Sequence, residues 1–152
     1  MKKKILILGI TSFIGLNLSL SLNKKKYEIL GITSNKINSY KNKKLKIIKK
    51  NNINFLKINI FNKKTFKNIG SFDVVINCIG WTKNFNKENY DYTKIKNRYK
   101  IYFDLIKMYL INNKIPMFIE LWSSNEYGLR KEKFTENSIC RPKTKYGVIK
   151  KN

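Results

Sequence analysis

A parallel α/β sheet with right-handed crossovers is the fold class this sequence predicts, and three observations predict it. Short apolar runs alternate with helix-length segments five times along 152 residues. The first run ends at once on a glycine, where a buried strand would turn into a helix. The strongest run, Phe72 to Ile79, is β-branched and continuous, as expected of a strand covered on both faces. The length suits one domain with a sizeable core; a chain of this size buries roughly 70% of the surface its unfolded form exposes.

Taken in order, Ile5 to Leu8 reads as the first strand, closed by Gly9. Phe13 to Asn23 is ambiguous by period alone, and the glycine turn before it favours a helix. Tyr27 to Thr33 is the second strand. Asn35 to Lys50 is polar and lysine-rich around Leu45, Ile47 and Ile48, a connecting helix or loop. Asn54 to Ile60 alternates as a third strand, Asn62 to Ile69 is a short helix, and Phe72 to Ile79 is the fourth strand. Glu88 to Asn112 is the longest helical segment, with Ile95, Tyr99, Tyr102, Phe103, Ile106 and Leu110 at three- and four-residue steps. Pro116 to Trp122 is a fifth strand. A polar loop containing Gly128 follows, and a last helix begins at Thr144. No internal repeat, linker or domain break interrupts the pattern.

Composition excludes several classes. His is absent, so His metal sites and His-based triads are excluded, and Cys78 and Cys140 stand apart with no CxxC, so no zinc finger, metal site or disulfide framework is expected. Two lone thiols suit a reducing, cytoplasmic setting. The Lys2-Lys3-Lys4 start and the apolar stretch to Leu22 mimic a signal peptide, but Gly9, Thr11, Ser12, Gly15, Asn17, Ser19 and Ser21 interrupt it and no small-residue cleavage site follows. No other stretch is apolar and long enough to span a membrane.

The formal net charge is +24. Of the 33 basic residues only Arg98, Arg130 and Arg141 are arginine, and Ala and Gln are missing altogether. Lys, Asn and Ile dominate, all three served by A/T-rich codons, so drift in base composition is the simplest cause. A nucleic-acid binder would be expected to use Arg for bidentate contacts and to cluster its charge on one element. Here Lys runs from Lys2 to Lys151, which argues against nucleic acid as the partner. The field still favours anionic small molecules such as nucleotides.

Three segments carry chemistry. Gly9-Ile10-Thr11-Ser12-Phe13-Ile14-Gly15 lies between strand and helix, where a dinucleotide-binding turn needs glycines for tight geometry, approach of the pyrophosphate and helix packing. The helix start offers unpaired N–H groups to phosphate. Ser12 stands at the middle glycine position, where its Cβ narrows the approach and its hydroxyl can donate. Tyr146-Gly147-Val148-Ile149-Lys150 places a phenol and an ammonium on one helix face. A cation there favours phenolate and suits the Tyr to general acid/base work. Taken alone, this pattern is common by accident in so Lys-rich a chain. Trp122-Ser123-Ser124-Asn125-Glu126-Tyr127-Gly128 follows the fifth strand, at the carboxyl end where open α/β sheets bind ligands; its bland alternative is a Ser-rich turn.

Together, the G-x-x-x-F-I-G turn, the DVVIN strand, the SS-x-x-YG segment and Arg141-Pro142 leading into YGVIK resemble the extended short-chain dehydrogenase/reductase superfamily, specifically its NAD-dependent epimerase/dehydratase family. The resemblance covers the whole chain. It implies a Rossmann-like parallel sheet in the order 3-2-1-4-5 with helices on both faces, and NAD or NADP as cofactor. By that resemblance Tyr146 is the catalytic acid/base, Lys150 holds the nicotinamide ribose and lowers the Tyr146 pKa, and Ser124 completes the triad. Ser123 is the alternative, because the loop before Tyr127 looks one residue shorter than in many relatives.

The resemblance also assigns the cofactor positions Gly9, Thr11, Ser12, Phe13, Ile14 and Gly15 at the first turn. Asn59 and Ile60 follow the third strand, where Asn59 replaces the usual Asp facing adenine. Cys78, Ile79 and Gly80 replace a small-residue run along the cofactor. At the end of the second strand Thr33-Ser34-Asn35-Lys36 replaces the acid that would bind the ribose of NAD, so Ser34, Asn35 and Lys36 tilt the expectation towards NADP.

The implied function is hydride transfer on a nucleotide sugar by an epimerase, dehydratase or 4-keto reductase, in the cytoplasm, with no membrane partner and room for a homodimer. Residues 1–152 would be the NAD(P)-binding domain. Relatives continue into a substrate-binding lobe, so a fragment or a shortened gene is expected. The last helix turn should then fray and leave Lys150 loosely held. The rivals are a cofactor-binding remnant without catalysis and a basic nucleic-acid-binding domain.

Overall fold

The computed structural model describes residues 2–25, 27–34, 39–80, 91–128 and 133–151. Its elements are β1 (Lys4–Leu8), α1 (Phe13–Lys24), β2 (Glu28–Ser34), α2 (Ser39–Lys50), β3 (Asn54–Ile58), α3 (Lys63–Lys67), β4 (Val74–Asn77), α4 (Tyr92–Asn112), β5 (Met117–Glu120), a 3-10 turn (Ser124–Glu126) and α5 (Lys145–Lys151). The chain divides into two compact units. The first holds residues 1–80 and 102–121, the second residues 81–101 and 122–152.

The first unit is a five-stranded sheet in the order β3-β2-β1-β4-β5, every neighbouring pair parallel. Strand alternation sorts β1 onto two faces. Ile5 and Ile7 join Leu16 of α1 and Leu45 and Ile48 of α2 in one buried cluster, with Ile76 and Cys78 beside them. Leu6 and Leu8 point the other way, both fully buried. On that face Tyr102 of α4 reaches Asn77 of β4 with a hydrogen bond of 2.8 Å, and the Phe66 and Tyr109 rings meet at 5.8 Å. Helices therefore cover both faces of the central strands, which is why β1 can be apolar at every buried position.

Gly31 shows why the second strand is interrupted by a glycine. It pairs with Ile7, and a Cβ there would collide with the Ile10 side chain, which folds back over the strand from the first turn.

Several elements are shorter than the sequence suggests. β4 ends at Asn77 because the Asn77 side chain takes the next free donor: its Oδ1 accepts the Ile79 N–H at 3.1 Å. β3 ends at Ile58, where Asn59 starts a turn by accepting the Asn62 N–H on its carbonyl. The Asn35–Lys50 segment resolves into a helix from Ser39, and the expected start of α4 at Glu88 lies outside the described residues.

In the second unit the aromatic residue Tyr99 is buried, Tyr127 stacks on Phe134 at 5.1 Å, and α5 packs against the 3-10 turn.

Candidate functional site

The first turn is built by hydrogen bonds that begin in β2. The N–H groups of Gly9 and Ile10 both donate to the Ile32 carbonyl, at 2.8 and 3.0 Å. The chain then reverses through Gly9 at φ +82°, a left-handed conformation that favours glycine. A Cβ at Gly9 would lie 2.8 Å from Ile79 Cγ1 and 3.1 Å from the Cys78 carbonyl carbon, so the turn presses against the end of β4. Ser12 closes it. Its N–H donates to the Gly9 carbonyl at 2.8 Å and its Oγ accepts the Gly15 N–H at 2.9 Å.

Ser12 is thus the N-cap of α1, a role the glycine comparison did not suggest. Gly15 is required because a Cβ there would meet the Gly9 carbonyl oxygen. Ahead of the capped Gly15, the N–H groups of Phe13 and Ile14 have no hydrogen-bond partner among the described residues, and both side chains are exposed. That leaves two oriented donors at a positive helix end, at the carboxyl edge of β1.

Thr11 faces inward instead. It is buried, and its Oγ1 shares a 2.8 Å hydrogen bond with Thr33 Oγ1, tying the turn to β2. One residue on, Ser34 ends β2 and accepts a hydrogen bond from Lys41 Nζ of α2 at 2.5 Å. Asn35 and Lys36 lie outside the described residues. Asn59 is exposed, with its Oδ1 accepting the Phe61 N–H at 3.1 Å, so one of its acceptor positions already serves the local turn. Ile60 is buried.

Cys78 is buried beside Gly9, Ile79 is half-buried and Gly80 exposed. Burial first, and the negative charge of Glu120 second, push the Cys78 thiol up to about 11, so it is a neutral packing group at physiological pH. Asn77, the residue before it, is almost fully buried and satisfied on both sides. Its Nδ2 donates to Glu120 Oε2 at 2.6 Å and its Oδ1 accepts from Tyr102 Oη and the Ile79 N–H.

In the second unit, Ser123 is the N-cap of the 3-10 turn, its Oγ accepting the Asn125 N–H at 3.3 Å. Ser124 opens that turn and is exposed. Thr144 caps α5 by accepting the Gly147 N–H at 3.0 Å. Gly147 is where α5 meets the turn: a Cβ there would strike the Asn125 carbonyl oxygen and lie 3.0 Å from Pro142 Cβ. Gly128, at φ +79°, lies equally close to the Arg141 carbonyl. These contacts bring the SSNEYG, RP and YGVIK segments together, though they are up to 27 residues apart in sequence.

Tyr146 is half-buried, one helical turn before Lys150 on α5. Lys150 is only 2% exposed, and its ammonium lies over the rings of Tyr99 at 5.5 Å and Trp122 at 5.7 Å. α5 runs to Lys151, one residue past Lys150. Aromatic faces hold the cation from the side, a feature with no local sign in the sequence.

Residues 5–151 match the family described as NAD dependent epimerase/dehydratase. No curated protein sequence matches the chain. Among solved structures, the UDP-glucuronic acid 4-epimerase of Bacillus cereus bound to NAD and a fluorinated UDP-sugar is similar, with 23% identity and a TM-score of 0.72 over 97% of this chain and 48% of that one. The UDP-Glc/GlcNAc 4-epimerase of Campylobacter jejuni gives 18% identity and a TM-score of 0.81 over 97% and 46%. The dTDP-glucose 4,6-dehydratase of Bacillus anthracis in complex with NAD gives 19% and 0.74 over 97% and 47%. The chain spans about half the length of these structures.

Proposed function

The chain belongs to the NAD dependent epimerase/dehydratase family, and from that premise we propose that residues 1–152 are the NAD(P)-binding domain of a nucleotide-sugar epimerase, dehydratase or 4-keto reductase. The observation that carries this reading is the first turn, where a compressed glycine brings backbone to the end of β4 and two helix N–H groups stay unpaired. That arrangement suits a pyrophosphate. Ser12 keeps its hydroxyl proton to donate while its oxygen caps α1.

In this reading Gly9, Phe13, Ile14 and Gly15 hold the pyrophosphate through backbone, and Thr11 braces the turn through Thr33. Ser34 faces the adenine ribose, while Asn35 and Lys36, which the sequence assigns the same role, lie outside the described residues. Asn59 and Ile60 face the adenine, and Cys78, Ile79 and Gly80 flank the dinucleotide. When bound, the nicotinamide supplies a reversible hydride acceptor for a sugar carbon.

The chain's own chemistry is proton movement. The Tyr146 phenol takes or returns the hydroxyl proton of the sugar. Ser124, exposed at the start of the 3-10 turn, hydrogen-bonds the same oxygen, with Ser123, whose Oγ accepts in its cap and keeps its proton, as the alternative. The Lys150 ammonium keeps positive charge on the helix face that carries Tyr146, which favours the phenolate, and it holds the nicotinamide ribose.

The test is calorimetric titration with NAD+ and NADP+ of the protein and of Ser12→Asp. Asp caps a helix as well as Ser does, but it sets a negative charge against the phosphates. We expect Ser12→Asp to keep its thermal midpoint and to bind at least ~10-fold more weakly, as the loss of a charge-assisted contact implies. Equal affinity in the two proteins would remove the pyrophosphate from this turn.

A further inference from the structure

We propose that Lys41 and Lys44 of α2 form a dibasic clamp for the 2′-phosphate of NADP(H), so that this chain selects NADP(H) over NAD(H). The inference rests on the cofactor reading above and adds the residues that choose between the two dinucleotides. In a dinucleotide-binding sheet the residue at the end of the second strand reads the adenine ribose. An acid there accepts from the 2′-hydroxyl of NAD, and a cation nearby accommodates the 2′-phosphate of NADP.

No Asp or Glu occurs anywhere from Ile29 to Phe72. The whole β2-α2-β3-α3 stretch therefore offers no carboxylate to a ribose diol. What the fold brings to the end of β2 is the Lys41 ammonium, hydrogen-bonded to Ser34 Oγ.

Lys44 is the second observation. It lies three residues after Lys41, hence on a neighbouring position of the same helix surface. It is 8% exposed, and its Nζ has no hydrogen-bond partner among the described residues. The Tyr40 ring lies 4.4 Å from that Nζ. A buried ammonium without an acceptor is costly, and an aromatic face offsets only part of that.

The other lysines of α2 are explained by solvation, since Lys43, Lys46, Lys49 and Lys50 are all exposed. Lys44 is not solvated, so base composition does not account for its position. A phosphate dianion received beside Lys41 gives Lys44 the acceptor it lacks, and Ser34 Oγ can donate to the same group.

The probes are NADP+, NAD+, 2′,5′-ADP, 5′-AMP and inorganic phosphate, titrated calorimetrically into the full chain and into Lys41→Gln, Lys44→Met and the double variant. Circular dichroism and thermal midpoints check folding. We expect NADP+ to bind at least ~10-fold more tightly than NAD+, and 2′,5′-ADP to exceed 5′-AMP by a similar factor, the scale of charged hydrogen bonds. The ratio should fall stepwise in the single variants and approach one in the double variant.

Lys44→Met should leave the fold intact, because it replaces an orphan charge by an apolar chain of similar length. Equal binding of NADP+ and NAD+ would overturn the clamp and leave the cofactor reading standing. Binding of neither would overturn both. Competition by inorganic phosphate as strong as by 2′,5′-ADP would overturn the clamp in favour of a general anion site.

Discussion

At Gly9–Gly15 the backbone hangs from β1, whose Leu6, Ile7 and Leu8 side chains are fully buried, whereas the described residues around Ser123–Gly128 and Arg141–Lys150 hang from loops and short helical turns. The first region is fixed by sheet hydrogen bonds and a two-sided core. The second is fixed by side-chain caps at Ser123 and Thr144, by glycines at 128 and 147 that let backbone segments touch, and by a lysine between two rings. Both regions use glycine for close approach. They differ in what stands behind the contact, a sheet in one case and a few turns of chain in the other. Opening energies follow such differences in support, so the Ser123–Lys150 region should open more readily than the Gly9–Gly15 turn.

The two cysteines report on this contrast, since Cys78 is buried in the first unit and Cys140 is half-buried in the second. The largest effect is expected from Gly15→Ala, whose Cβ would be driven against the Gly9 carbonyl. Overpacking against backbone that cannot yield should cost about 3 kcal/mol of global stability. Urea denaturation would measure it, and Cys78 should become accessible to thiol reagents. An unchanged midpoint would mean that the turn is looser than its hydrogen bonds suggest.

Gly147→Ala should act more locally, with a cost of about 2 kcal/mol. α5 would lift from the 3-10 turn and Cys140, whose carbonyl accepts from Lys151 Nζ at 3.1 Å, would label faster. Cys78 labelling should stay as slow as before. Simultaneous exposure of both thiols would erase the distinction between the two regions.

The smallest effect is one of pH. The folded-state pKa of Cys78 is raised from 9.0 to about 11, so the unfolded chain ionises first. The stability tied to that neutral thiol is complete below pH 9 and is lost as the pH rises from 9 to 11. Tyr109, raised by burial from 10.0 to about 12, adds a loss of the same sign between 10 and 12. Unfolding free energies at pH 8 and pH 9.5 should show a fall of about 1 kcal/mol. A rise across that interval would contradict the burial of both groups.

The alternation of strands and helices, the first turn and the shared helix face of Tyr146 and Lys150 are legible from local patterns: apolar runs, glycine spacing and a four-residue helical step; the sheet order and the grouping with the Ser segment come only from the family resemblance. Other features depend on tertiary neighbours. Asn77 reads as one more residue of a β-branched strand, yet it is the hub of a polar network joining Tyr102 and Glu120, 25 and 43 residues away. Lys41 and Lys44 are invisible among so many lysines, because which lysine loses its water is decided by packing rather than by spacing. Ser12 stands where the dinucleotide-binding pattern has glycine, although Ser before an apolar helical run is itself a capping signal. The role of Gly147 has no local sign in the sequence, since nothing local reveals that Asn125 lies against it.

The burial of Lys44 and Lys150 separates this protein's charge from its candidate chemistry. Among the described lysines these two alone are buried. Acylating reagents react with the neutral amine that forms when an ammonium group exchanges its proton freely with water, and they remove its charge. They would reach the hydrated lysines that make up most of the net charge of +24 and spare the two that face the candidate sites. Acylation can thus strip the charge from the hydrated coat while the Lys44 and Lys150 ammonium groups stay intact, whereas the half-buried Lys41 lacks that protection.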